Sequence, residues 1–190
     1  MKYCLLVLIA LAGSASGEEW RLQLDPSATT VNFTLGDVFH TVHGVFKLKT
    51  GQLSFDPSSG KAGGQIVVNA LSGESGSSAR DKRMHKNVLE SAKFADITFA
   101  PKQVEGKINL SGDSDLRLHG QFTIHGGTHE VTMMVKAHTE QQLLTAVITF
   151  PVPYVVWGMK NPSTLFLRVS DTVTVDVQTA GRLSSAAATP

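Results

Sequence analysis

The stretch Leu116-Arg117-Leu118-His119-Gly120-Gln121-Phe122-Thr123-Ile124-His125-Gly126-Gly127-Thr128-His129-Glu130-Val131-Thr132-Met133-Met134-Val135-Lys136-Ala137 decides the fold. Leu116, Leu118, Gly120, Phe122 and Ile124 alternate with Arg117, His119, Gln121 and Thr123. A period of two puts the apolar members on one face of a strand. The return run turns Val131, Met133, Val135 and Ala137 to the same side. Gly126-Gly127 sits between the runs and reads as the tight turn, because glycine accepts the positive φ such turns require. The unit is an antiparallel hairpin with one apolar face.

The same period extends in both directions. Upstream, Val31, Phe33 and Leu35 alternate with Thr30, Asn32 and Thr34, and Val42, Gly44, Phe46 and Leu48 with His43, Val45, Lys47 and Lys49. Leu53 and Phe55 follow the turn at Thr50-Gly51, and Ile66, Val68 and Ala70 resume after the turn formers Asp56 to Gly60. Downstream come Leu144, Ala146 and Ile148, then Val173, Val175 and Val177. Ser77 to Glu90 breaks the pattern. It is rich in helix formers, Ser77 or Ser78 stands at the capping position, and Met84, Val88 and Leu89 make a narrow apolar stripe. Ser72 to Ser78 reads as a mobile connector, and Gly181 to Pro190 as a disordered tail. Eight or more alternating strands with one short helix predict an all-β domain over residues 18–180. A closed antiparallel barrel fits best and a sandwich is the rival.

Composition narrows the function. Hydrophobic residues make up 42% of the 190 and charged residues 17%, a globular balance. Lys2, the apolar run Cys4 to Ala12, the small residues Gly13 to Gly17 and then Glu18-Glu19 have the layout of a secretory signal peptide. Cleavage is expected after Ser16 or Gly17, so residues 1–17 are read as removed and the protein as periplasmic or secreted. The apolar run is shorter than the about 20 residues a spanning helix needs. Removal takes away Cys4, the one cysteine, and Lys2, which leaves sixteen charges of each sign. A neutral chain without a basic run does not suit nucleic acid.

Several pieces, in order, resemble the YceI-like polyisoprenoid-binding family. Leu24-Asp25 with Thr30 to Phe33 resembles its first strands, Val42 to Phe46 its v-x-G-x-F strand, and Gly51 to Pro57 its G-x-i-x-F-D-P hairpin. Arg80-Asp81 opens the helical segment as the family's R-D does. Phe94, Ile97 and Phe99 are similar to its y-P-x-i-x-F strand, and Phe122 to Gly126 with Thr128 to its L-T-i-H-G-x-T hairpin. The family's strand proline is Ala95 here, and Tyr154 to Ser163 replaces its usual ending. The resemblance spans about residues 20–180. It implies a lipocalin-like β-barrel with an elongated apolar cavity, export, and binding of an isoprenoid or similar amphiphilic lipid, with transient membrane contact for ligand exchange.

Other chemistries find less support. His40 and His43 are a possible ligand pair, but residues three apart on a strand point to opposite faces, so no metal is expected. Arg80-Asp81 reads as a brace at the helix start, where an aspartate is favourable. No nucleophile elbow, phosphate loop or dinucleotide fingerprint occurs, so neither catalysis nor a cofactor is expected.

The alternation gives one shared face to Phe33, Leu35, Phe46 and Phe55, then to Ile66, Val68, Phe122 and Ile124, and then to Met133, Val135, Ile148, Val173 and Val175. In a barrel that face is the interior, and these residues are the candidate cavity lining. Patterning alone does not separate a hollow interior from a filled one. Three readings therefore stand: a carrier of apolar lipid, a protein-interaction barrel using an exposed rim near Tyr154 to Ser163 and no small ligand, and an enzyme acting on a bound lipid.

Overall fold

The computed structural model describes residues 18–36, 41–164 and 168–186. The expected signal segment 1–17 and His40 lie outside them. The elements run β1 (Trp20–Leu24), a 3-10 turn (Pro26–Ala28), β2 (Thr30–Gly36), β3 (Thr41–Phe55), β4 (Ala62–Glu74), α1 (Ser78–Arg83), a π-helical turn (Met84–Val88), β5 (Asp96–Glu105), β6 (Gly112–Ile124), β7 (Gly127–Glu140), β8 (Leu143–Val152) and β9 (Val173–Ser185). The nine strands form one antiparallel sheet in the order β1-β3-β2-β9-β8-β7-β6-β5-β4, closed by pairing of β3 with β4. β1 and β2 both lie between β3 and β9 and share one place in the wall, so the closed barrel has eight positions. Among the described residues, closure leaves neither β1 nor β4 as a free edge of the sheet.

Register breaks bend the longest strands. β3 and β4 slip between Val45 and Lys47 and between Leu48 and Thr50, and β5 slips on β6 between Pro101 and Gln103. Such bulges raise local twist and let a long strand curve around a barrel. Gly44 is needed for its size: a Cβ there would run into the Phe33 ring.

One end of the barrel is packed. Leu22, Leu24, Leu48 and Leu183 form a buried cluster with Phe55 against it, and Val135, Ala137 and Ala146 form a second. Leu183 is only 3% exposed. The reading of 181–190 as a disordered tail is therefore corrected for 181–185: this stretch is the end of β9, pairs with β1, and is held by the burial of Leu183. The other end carries α1, the π-helical turn and the β8–β9 connection.

Two further expectations shift. The β6–β7 turn consists of His125 and Gly126, with φ of 51° and 75°, and Gly127 already pairs with Ile124. Positive φ at both central residues is the type I′ geometry that matches strand twist. Ser72 to Glu74 belong to β4, so the connector to the helix is shorter than expected. It is also pinned. Ser75 N–H donates to Asp81 Oδ1 at 2.9 Å, and Arg80 donates to the Ser75 hydroxyl and carbonyl at 2.7 Å each. Arg80-Asp81 thus braces the start of the helix.

Candidate functional site: an apolar barrel cavity

The barrel interior is hollow between the packed end and the helical end. The cavity measures about 580 Å³, within the ~300–1,000 Å³ range of small-ligand sites. Its wall comes from the inward stripes. Phe33 and Leu35 of β2, Phe46 of β3, and Ile66 and Val68 of β4 line one side. Phe122 and Ile124 of β6, Met133 of β7, Ile148 of β8, and Val173 and Val175 of β9 line the other. Every predicted lining residue is thus in the wall except Phe55 and Val135. Those two are corrections: they lie on the predicted side of their strands but at the packed end, Phe55 against the leucine cluster and Val135 in the valine–alanine cluster. Period two fixes the face of a residue and is silent about its depth along the barrel axis.

Other lining residues were not singled out from sequence. Phe150 and Val177 continue stripes already recognised, and Ile97 and Phe99 alternate on β5, so the period itself identifies them. Met84, Val88 and Leu89 form the predicted helical stripe and cover the cavity from the helical side. Tyr154, Met159 and Pro162 come from an irregular segment with no periodic signal.

That segment caps the cavity with its buried residues and leaves others, Val156 among them, exposed at the rim. Tyr154 and Met159 are 4% and 3% exposed. Tyr154 donates its hydroxyl to the Ser170 carbonyl at 2.8 Å, and burial, with Asp171 adding to it, pushes the phenol up to about 12. Trp157 lies against Phe122, ring centroids 5.8 Å apart, which fastens the cap to β6. On the opposite side, His85 Nε2 is 2.8 Å from the Gly73 carbonyl and Nδ1 is 2.7 Å from the Ser91 hydroxyl, so the imidazole ties the π-helical turn to β4.

Polar lining is confined largely to the helical end. Asn32, Ser75, Ser77, Arg80 and Arg83 fringe the cavity there. An apolar chain can be desolvated along the wall while a polar head stays with these groups. His43 Nδ1 is 3.2 Å from the Thr34 hydroxyl on the outer surface. Among the described residues no group of three or more His, Cys, Asp or Glu side chains is arranged to hold a metal.

Comparison with known proteins agrees with this architecture. The YceI-like domain matches residues 22–180. A UPF0312 protein of Shewanella sp. strain ANA-3 is 29% identical over 134 residues, which is 68% of this chain and 67% of that protein. BcnA of Burkholderia cenocepacia superposes with a TM-score of 0.69 at 16% identity, covering 83% of this chain and 98% of BcnA. A polyisoprenoid binding domain from Saccharophagus degradans, implicated in plant cell wall breakdown, superposes with a TM-score of 0.65 at 14% identity, covering 86% of this chain and 98% of that domain. These structural likenesses bear on the fold, an antiparallel barrel with one short helix. With the domain matched over nearly all of the closed barrel, the chain belongs to the YceI-like family.

Proposed function

We propose that this protein is an exported carrier that holds an isoprenoid or similar amphiphilic lipid in its barrel, for transport, storage or sequestration, without a catalytic step of its own. The observation that carries the reading is the cavity of about 580 Å³, with aliphatic and aromatic walls and a polar fringe at one end. The polyisoprenoid binding domain among its structural relatives points the same way. The layout of residues 1–17 supports periplasmic or secreted placement.

In this reading the tail enters between the helical segment and the 154–163 cap. Each 100 Å² of lipid surface it buries contributes about 2.5 kcal/mol, so few polar contacts are needed. The packed end stops the tail, and the head rests near Asn32, Ser77 and Arg83. Discrimination between tails is loose, because one buried methylene contributes only about 0.8 kcal/mol. Transient contact with a membrane serves loading and unloading.

The experiment is organic extraction of the purified protein followed by mass spectrometry. The carrier retains an isoprenoid lipid and leaves it chemically unchanged on incubation. A protein that comes out dry and takes up no such lipid is a partner-binding barrel instead, and one that converts the lipid is an enzyme.

A further inference from the structure

The two ends of the barrel carry opposite charge. On the helical segment 78–93, Arg80, Lys82, Arg83, Lys86 and Lys93 stand against Asp81 and Glu90. Both carboxylates are engaged: Asp81 accepts from Ser75 and Glu90 from His125. Segment 153–171, beside the mouth, adds Lys160 and Arg168 against Asp171, which accepts from Asn161 at 2.6 Å. With Glu74 and Asp176 at the rim included, seven cations face five carboxylates, a formal charge of +2 among the described residues. The packed end is made of residues 18–21, 55–62, 105–115, 140–143 and 181–186. It holds four cations and seven carboxylates, a formal −3.

Lys82, Lys86 and Lys160 are all exposed. Val156 stands out from the cap at the same end and is 81% exposed. Leu89 of the helical segment and Tyr154 and Met159 of the cap belong to one buried cluster, so the two segments adjoin at this end.

We propose that this cationic end docks on an anionic lipid surface, with Val156 entering the headgroup layer and the cavity mouth turned to the bilayer. The proposal rests on the carrier reading and names the surface through which the ligand passes. Each basic side chain brought near such a surface strengthens binding about fivefold. The negative far end is repelled, so the field selects one orientation before contact. An acidic protein could match the charge, but a lipid surface also supplies what the cavity at the centre of the patch accepts.

The test is co-sedimentation with phosphatidylcholine vesicles, with and without about one-third phosphatidylglycerol. The protein is expected to sediment with the anionic vesicles only, and to be released in about 1 M salt, where the Debye length is about 3 Å. The triple change Lys82→Glu, Lys86→Glu and Lys160→Glu is expected to weaken binding at least about tenfold, whereas Lys107→Glu at the packed end leaves it unchanged. Equal binding to neutral vesicles, salt-insensitive binding, or full binding by the triple variant overturns the proposal. If the triple variant does not fold, Lys160→Glu alone and the salt series decide. Uptake of a polyprenyl lipid from detergent is read on the same proteins. Wild type that takes up lipid but ignores anionic vesicles removes the docking and leaves the carrier. Wild type that docks but takes up no lipid does the reverse.

Discussion

The His129 imidazole lies flat on the Trp157 indole, with ring centroids 4.2 Å apart and planes 6° from parallel. Trp157 also meets Phe122, which packs edge-on against Phe150 at 5.7 Å. A chain of rings thus runs from β7 through the cap to the cavity wall. Trp157→Ala removes its centre. Trp157 is only partly buried, so the expected cost is about 2 kcal/mol, below the ~3–5 kcal/mol of a fully buried tryptophan. Thermal unfolding checks the cost, and stopped-flow release of bound lipid should be faster because the cap is loosened.

Gly44 gives Phe33 its place in the cavity wall. A methyl group there would meet the Phe33 ring and, at 2.5 Å, the Glu74 carbonyl oxygen. Gly44→Ala is expected to destabilise by about 1–3 kcal/mol, as overpacking does, and to reduce lipid uptake by displacing the ring. Denaturant melts with a parallel lipid titration read both effects.

Val135 marks the boundary between the filled and hollow parts. Its neighbours are Ala137 and Ala146 rather than the cavity. Val135→Ala is expected to cost about 2 kcal/mol and to leave lipid affinity unchanged. A lower affinity at unchanged stability would move Val135 back into the site.

The barrel and most of its wall were legible because a half-buried strand must alternate. Phe33, Phe122 and Met133 each declare their face through their neighbours. Depth along the axis has no such signature, so the period alone assigns Phe55 and Val135 to the cavity, whereas they lie at the packed end. Leu183 lies among small and polar residues, and pairing with β1 on one side and β8 on the other makes that stretch a strand. The hairpin was found but its turn shifted by one residue. His125 adopts positive φ with its Nε2 2.5 Å from Glu90 Oε2, a contact from the helical segment that no local pattern reveals. The cap folds inward because Tyr154 and Met159 find apolar surface, a tertiary fact without periodicity.

Acid stability draws on carboxyls that are stronger acids in the folded chain, Asp56 and Glu90 among them. Hydrogen bonds from Ser58 first, then Ser59, hold Asp56 at about 2 against an ordinary 3.8. The His125 hydrogen bond holds Glu90 below its ordinary 4.5. Their stabilisation is complete above these ordinary values and fades as pH falls through the lowered ones. Asp56→Asn with Glu90→Gln should therefore lower stability at neutral pH and flatten its decline below pH 4.5. Denaturant melts across the acid range check this. An acid limb as steep as that of wild type would show that other groups dominate it.

Met133 projects from β7 into the cavity and is 6% exposed, whereas its neighbour Met134 points outward and is 57% exposed. A lysine at 133 would place an ammonium against an apolar chain, and one at 134 would stay in water. The deciding measurement is a titration of wild type, Met133→Lys and Met134→Lys with a polyprenyl lipid, beside thermal unfolding of each. The carrier account predicts saturable binding by wild type and Met134→Lys and none by a folded Met133→Lys. Absence of binding by wild type, or undiminished binding by Met133→Lys, would contradict it.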